Sequence, residues 1–198
     1  MKFSLEKYIE KKMEEISQEK PVLDVGGGKR FQKWLKKYEP LFENTHYQTM
    51  DYDSRTGADI VGDIHNIPLA TEKIGAIICS SVLEHVENPI KAVQEMHRIL
   101  KIGGKILVYV PSIYPYHAKK GSYPDYWRFF DDTLRMLFKD FIKVEIIKSG
   151  SYFKALFFFF PMQHKLQLFL SPLANFLDKV FKMGKRSTAA GYYVFAIK

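Results

Sequence analysis

Cysteine is nearly absent from this chain. Cys79 stands alone, so no disulfide can close within the chain and a cysteine-rich zinc centre is excluded. Long apolar runs are missing as well: the longest, residues 155–162, falls well short of the roughly 20 residues that a membrane-spanning helix requires. The charged opening MKFSLEKYIEKK lacks the apolar stretch of a secretory signal, which makes a cytoplasmic protein the expectation. Acidic residues thin out along the chain. Residues 1–100 carry 14 Lys/Arg against 16 Asp/Glu, whereas residues 101–198 carry 16 against 6, so the net charge of +8 belongs to the second half. Such asymmetry suits an anionic partner or a merely solvated basic face, and it argues about association rather than fold. No internal repeat occurs, and the only low-complexity stretch is the four phenylalanines at 157–160.

What is present fits one domain. With 198 residues, 46% of them apolar, the chain can bury one sizeable core but not two. Ser4 is placed to cap a helix over residues 4–19, whose apolar positions Leu5, Tyr8, Ile9, Met13 and Ile16 recur at helical spacing until Pro21. A short apolar strand at 22–25 runs into Gly26-Gly27-Gly28, and a second helical pattern covers 31–38 and ends near Pro40. Strands are expected at 47–51, 59–61, 74–79 and 105–110. A helix begins at Asn88-Pro89, with Asn as cap and Pro in the first turn, and ends at Gly103-Gly104. Asp131-Asp132 opens a further helix through 137, and strands at 141–147 and 192–197 follow. Strands alternating with helices at this spacing predict an α/β fold, an open and mostly parallel doubly wound sheet covered on both faces. Ligands of such sheets sit at the carboxyl ends of the strands, where the strand order reverses.

Those strand ends carry chemistry. DVGGG gives a carboxylate, Asp24, followed by a loop without side chains, against which a ligand can lie. Asp51 ends the second strand at the distance where a ribose-binding acid follows a glycine loop. A dinucleotide loop would continue G-x-G-x-x-G, but its last position is Phe31 here. That disfavours a nicotinamide-dependent oxidoreductase.

The pattern around Asp24, Gly26 and Gly28 resembles the first motif of class I S-adenosylmethionine-dependent methyltransferases. GDIHNIPL at 62–69 is similar to that superfamily's G-D-x-x-x-L-P segment, IICSSVLEHV at 77–86 to its fourth-strand motif, and RILKIGGKIL at 98–107 to its R-x-L-K-P-G-G-x-L segment. The methyltransferase type 11 group is the nearest kind. The resemblance implies a Rossmann-like, seven-stranded sheet with an antiparallel last strand and S-adenosyl-L-methionine as cofactor. It assigns Asp24, Gly26, Gly28 and Ser80 to the methionine end, Asp51 to the ribose hydroxyls, and Asp63 with Ile64 to the adenine. Tyr52 either stacks on the adenine or packs. The chain departs from the pattern in three places: Arg30 replaces the third glycine, Gly75 an acid opening the fourth strand, and Ile102 a proline. Arg30 either points out along its helix or pairs with the methionine carboxylate.

The loop PSIYPYHAKKGSYPDYWRFF, residues 111–130, leaves the fifth strand beside the expected cofactor and mixes titratable with aromatic groups. His117 suits a general base near neutral pH, with Asp125 orienting it and Arg128 binding an acidic substrate. His85, in the Glu-His pair that lies near the acceptor in the resembled family, competes for that role, and both histidines can equally be packing residues. No metal is expected. Residues 153–186, basic and amphipathic, carry a stripe of Leu166, Phe169, Leu170, Leu173, Phe176, Leu177 and Phe181, which Ser171-Pro172 is expected to divide into two helices. This insertion is a lid, a core-completing element, or a peripheral membrane contact with Lys179, Lys182, Lys185 and Arg186 at lipid head groups. The implied activity is methyl transfer, at oxygen, to a small-molecule, glycan or lipid-linked acceptor. A non-catalytic cofactor-binding module is the alternative. Nucleic-acid methylation ranks lower, because no N/D-P-P-Y/F segment follows the fourth strand.

Overall fold

The computed structural model describes residues 4–160, 163–183 and 189–198, with the side chains of 33 and 163–168 outside the description. Seven strands form one sheet in the order β3-β2-β1-β4-β5-β7-β6. They are β1 (Val22–Val25), β2 (Tyr47–Asp51), β3 (Ile60–Val61), β4 (Ile74–Ser80), β5 (Leu100–Pro111), β6 (Lys143–Ser149) and β7 (Gly191–Ile197). All neighbours are parallel except β7, which runs antiparallel to both β5 and β6. The strand order reverses between β1 and β4, whose last paired residues are Val25 and Cys79. Every residue of β1 is buried, as a central strand covered on both faces requires.

Helix α1 (Leu5–Ser17) packs on one face, where Ile9, Met13 and Ile16 join Val22, Ile78 and Phe195 in a buried cluster. Its Lys12 is buried to 6% exposure because the ammonium sits 3.8 Å above the Phe195 ring and 3.2 Å from Glu145 on β6. Helices α2 (Pro89–Ile99) and α3 (Asp131–Leu137) cover the other face through Val93, Met96, Ile99, Leu134 and Phe138. Asn88 caps α2 by accepting from Lys91 N at 3.0 Å. The Ser4 hydroxyl makes no such bond to α1.

Three departures from the sequence reading have a structural cause. After the glycines the chain forms a 3₁₀ helix over Lys33–Phe42, passing through Pro40, rather than a helix from residue 31. The reason lies in Phe31, which takes a left-handed φ of 52° and turns its ring onto Tyr47 at 4.3 Å, so helical hydrogen bonding cannot begin until the chain has turned. Gly103-Gly104 does not end α2. The helix stops at Ile99, and the glycines lie inside the longer β5, where the register with β4 shifts and Gly103 takes φ 76°. Ser171-Pro172 does not divide the insertion either: α5 (Gln163–Val180) continues through Pro172 and pairs with α4 (Tyr152–Phe157) as a helical hairpin. Pro172 falls where a helix would lose one hydrogen bond, and the continuous packing of the hairpin outweighs it.

Gly75 has a steric rationale: a Cβ there would lie 2.6 Å from Lys20 N and 2.9 Å from Lys20 O. Main chain occupies the space that a side chain needs. Gly75→Ala is therefore expected to destabilise the fold by about 1–3 kcal/mol, read as a lowered thermal midpoint, and an unchanged midpoint would contradict this close approach.

Candidate functional site

Where β1 and β4 diverge, the chain opens a cleft of about 1000 Å³. Its floor is the glycine loop. Gly26 has φ 73° and donates its N–H to Met50 O at 2.7 Å, and a side chain on it would overlap Val82 in the turn after β4. Gly28, also left-handed at φ 53°, leaves room that a Cβ would take from the Gln32 side chain. Below the loop, and outside the cleft lining, the Asp24 carboxylate is 2% exposed and accepts from Tyr47 Oη at 2.8 Å. Burial pushes this carboxyl up to about 7, the Tyr47 bond pulling in the opposite direction. Arg30 points away from the cleft: its guanidinium forms two bonds, 3.1 and 2.9 Å, to Asp59, which also receives the Thr49 N–H.

One wall of the cleft is acidic. Asp51 ends β2 and fixes the next turn by accepting from Asp53 N, while Gly62 N bonds Asp51 O at 3.0 Å and brings Gly62-Asp63 alongside. Asp63 Oδ1 accepts from His65 N at 2.8 Å and faces His65 Nδ1 at 2.7 Å. His65 Nε2 accepts from Asn88 N, so Nδ1 carries the proton and donates to Asp63. Ile64 is buried behind this wall, and Tyr52 stands 80% exposed at the lip, packed into no core. Across the loop, Ser80 Oγ accepts from Trp34 Nε1 at 3.2 Å.

The opposite end of the cleft is a cluster of titratable groups. The loop after β5 folds back over the turn following β4: Tyr126 N and Trp127 N both donate to Glu84 O, and Trp127 Nε1 donates to Val86 O at 2.8 Å. This places His117 beside His85 with ring centroids 5.0 Å apart, and both Nε2 atoms face Glu84 Oε1, at 3.9 Å and 3.8 Å. Glu84 is 1% exposed, its Oε2 has no hydrogen-bond partner, and burial raises its pKa to about 7. His85 Nδ1 faces Pro124 O, and burial lowers the imidazole's pKa. His117 Nδ1 lies 3.2 Å from both Pro115 O and Asp125 Oδ2, closer than to Arg128 Nη2 at 3.4 Å, so that nitrogen carries the proton.

Asp125 is fully enclosed and held by Arg128 through bonds of 2.6 and 2.7 Å, which keep its carboxyl down at about 2. Arg128 also donates to Tyr114 O, Pro115 O and Trp127 O. Its donors are engaged by the loop rather than turned to an incoming anion.

Gly26, Gly28, Asp51, Tyr52, Asp63, Ile64, Ser80, His85 and His117 thus line one cleft, with Asp24 beneath the floor and Asp125 and Arg128 behind the loop. Sequence reasoning passed over Glu84 as a site residue, although the Glu-His pair was its signal. It also passed over Tyr109, Tyr114 and Tyr123, which line the same space and carry no motif. Phe129 is core, whereas Trp127 is 42% exposed.

The α4–α5 hairpin adjoins this end, since the Tyr114 ring contacts both His117 at 5.1 Å and Phe158 at 4.9 Å. Among its described residues only Ala155 and Ala174 are buried, while Phe159, Phe160, Phe169, Leu173, Phe176 and Phe181 are exposed. These described residues therefore contribute little to the core. Lys185, Arg186 and the Leu166 side chain lie outside the described residues. No described helix is long and apolar enough to cross a membrane.

Comparison with known proteins agrees with this picture. Residues 23–108 match a family model described as a methyltransferase domain. The chain is 25% identical over 143 residues to the chloroplastic 2-methyl-6-phytyl-1,4-hydroquinone methyltransferase of Arabidopsis thaliana, covering 66% of this chain and 39% of that protein. Its counterpart from Spinacia oleracea is 25% identical over 119 residues, 55% of this chain and 34% of that one. The chain thus spans between a third and two fifths of the length of the curated relatives it matches. Among solved structures, a SAM-dependent methyltransferase from Archaeoglobus fulgidus superposes with TM-score 0.62 at 13% identity, covering 98% of this chain and 93% of that one. Phosphoethanolamine N-methyltransferase 2 of Haemonchus contortus, solved with S-adenosyl-L-methionine, gives 0.57 at 12% identity, with 91% and 49% covered.

Asp24 makes a pH signature. Its folded-state pKa of about 7 lies above the ordinary 3.8, so the folded chain keeps a proton that the unfolded chain has released. Stability from this group is complete below about pH 4 and declines as pH rises to about 7. Denaturant unfolding near pH 5 and near pH 8 should show wild type losing more stability across the interval than Asp24→Asn, and parallel losses would refute the assignment.

Proposed function

We propose that the chain is a class I S-adenosylmethionine-dependent methyltransferase, a reading supported by the matched methyltransferase domain and the shared fold, and that it transfers the methyl group to oxygen of a small or lipid-linked acceptor. The observation that carries the proposal is the single cleft in which the glycine loop, two acidic strand ends and a buried Glu-His-His cluster meet.

The residues present fit the cofactor. Gly26 and Gly28 keep the loop free of side chains along the cleft floor, and Asp51 and Asp63 each keep a carboxylate in the cleft. In this reading Gly26, Gly28 and Ser80 border the methionine end, Asp51 takes the ribose hydroxyls, and Asp63 with Ile64 takes the adenine. Asp24 acts from below by shaping the loop, since a Cβ on Gly27 would overlap its carboxylate. Bound there, S-adenosylmethionine supplies a methyl carbon already activated by a sulfonium, so alignment carries much of the rate. An acceptor hydroxyl entering the open end meets Glu84, His85 and His117, and this cluster, rather than one histidine alone, governs loss of its proton. Asp125 and Arg128 are positioning residues that hold His117 in place. A cofactor-binding module without catalysis would have no need of this polar cluster beside the cradle.

The acceptor class follows from the surroundings. Aromatic rings of Tyr114, Tyr123 and Tyr126 line the acceptor end, and the exposed phenylalanines of the adjoining hairpin, flanked by exposed Lys179 and Lys182, suit a lipid surface. The two chloroplast enzymes named above methylate, by their names, a phytyl hydroquinone. A lipophilic hydroxylated acceptor, met at a membrane surface, accommodates both observations.

Two measurements test this. Calorimetry should give micromolar binding of S-adenosylhomocysteine with no response to NADH. Asp51→Ala should weaken that binding roughly 10–100-fold, the loss expected for hydrogen bonds to a charged group, whereas Arg30→Ala should leave it unchanged because Arg30 is paired with Asp59. Binding of NADH alone would sink the cofactor reading. In liposome co-sedimentation, anionic vesicles should retain the wild type and release the Phe169→Asp, Phe176→Asp double variant, and equal retention of both would remove the membrane contact.

A further inference from the structure

Glu84, His85 and His117 each present a ligand atom within 4.8 Å of the other two. Glu84 lies in the short turn after β4 and His117 arrives on the loop after β5, held there by bonds that fix both the loop and its histidine. Glu84 lines the cleft yet is buried to 1% exposure, and its Oε2 receives no hydrogen bond. The carboxylate is held by its own backbone N–H, but a buried oxygen such as Oε2 still calls for a partner of its own.

From this geometry we infer that the three side chains form a site for one divalent first-row transition ion, ligated by a Glu84 carboxylate oxygen and by Nε2 of His85 and of His117. The outer contacts are those that metal-binding histidines usually have. His85 donates from Nδ1 to the Pro124 carbonyl, and His117 from Nδ1 towards Asp125 and the Pro115 carbonyl, which leaves both Nε2 atoms free to bind. With bonds of about 2.0–2.2 Å, neighbouring ligand atoms of such a site stand about 3–3.5 Å apart. The Glu84–His85 and Glu84–His117 separations of 3.8 and 3.9 Å need small side-chain rotations to reach that. Arg128 adds a positive charge nearby, but its bidentate pairing with Asp125 compensates it.

Two nitrogens and one carboxylate oxygen select zinc, cobalt, iron(II) or manganese over magnesium or calcium, which prefer all-oxygen shells. Three protein ligands leave coordination positions open towards the cleft, where an oxygen of the acceptor can bind. That role rests on the methyl-transfer reading. The site itself does not.

Tag-free protein stripped with chelator and titrated with zinc chloride is expected to bind one equivalent, cobalt chloride is expected to give a visible absorption band, and magnesium chloride is expected to bind far more weakly. Glu84→Gln and His117→Ala should each weaken zinc binding by at least the roughly 10–100-fold that loss of an outer-shell partner costs. His46→Ala, at an exposed site away from the cleft, should not. Circular dichroism and S-adenosylhomocysteine affinity report whether each variant remains folded, and His85→Ala replaces any variant that does not. A wild type that binds neither zinc nor cobalt at millimolar ion, or zinc affinity unchanged in folded Glu84→Gln and His117→Ala, overturns the proposal. Zinc binding without S-adenosylhomocysteine binding would preserve the metal site and defeat the methyltransferase reading.

Discussion

Gly26 has no room for a side chain, and the rest of the site depends on that. Its left-handed backbone bends the chain off the end of β1 so tightly that a Cβ would overlap Val82 in the turn after β4. The loops that leave two neighbouring strand ends are thereby kept in contact. The cleft opens above that contact, at the one position where an order of 3-2-1-4 sends consecutive connections to opposite sides. Gly27 lies as closely over the Asp24 carboxylate, so the loop is constrained from beneath as well.

A second constraint acts from above. The loop after β5 is long and rich in proline, and loops of that kind are ordinarily mobile. Here it is tied at several points: its backbone bonds to Glu84 O, Trp127 to Val86 O, and Arg128 to three carbonyls and to Asp125. The Asp125 side chain is enclosed, so removing Arg128 would leave its charge without that partner. Rigidity of this kind suits a loop whose task is to hold His117 against Glu84. The hairpin next to it is built differently. Among the described residues its helices bury only Ala155 and Ala174 and present phenylalanines outward, which leaves those rings available to something other than the sheet.

Much of this is legible in the chain itself. Short apolar strands ending in acids, an Asn-Pro helix start and the glycine run all depend on local preferences. Five of the seven strands match the sequence ranges to within one residue at each end, the exceptions being β5, which begins earlier, and β6, shifted by two. The misses share a cause. Phe31 enters the left-handed region because its ring finds Tyr47, Gly103-Gly104 becomes a strand irregularity because β5 carries extra residues between its pairings with Ile74 and Ala76 of β4, and Pro172 stays within a helix because α4 packs against α5. In each, a contact distant in sequence outweighed a local signal.

The order of strands and helices, the positions of Gly26, Gly28, Asp51 and Asp63, and the scarcity of acid in the second half were determined by sequence alone, because each depends on residues close together in the chain. Tertiary structure decided which groups meet. Arg30 finds Asp59 only because β2 and β3 pair side by side, and Glu84, His85 and His117 converge only because the loop after β5 folds back over the turn after β4. Spacing along a chain does not encode such meetings. They follow from strand order and packing, which bring Arg30 and Asp59, and Glu84 and His117, to within a few ångströms across about thirty positions of chain.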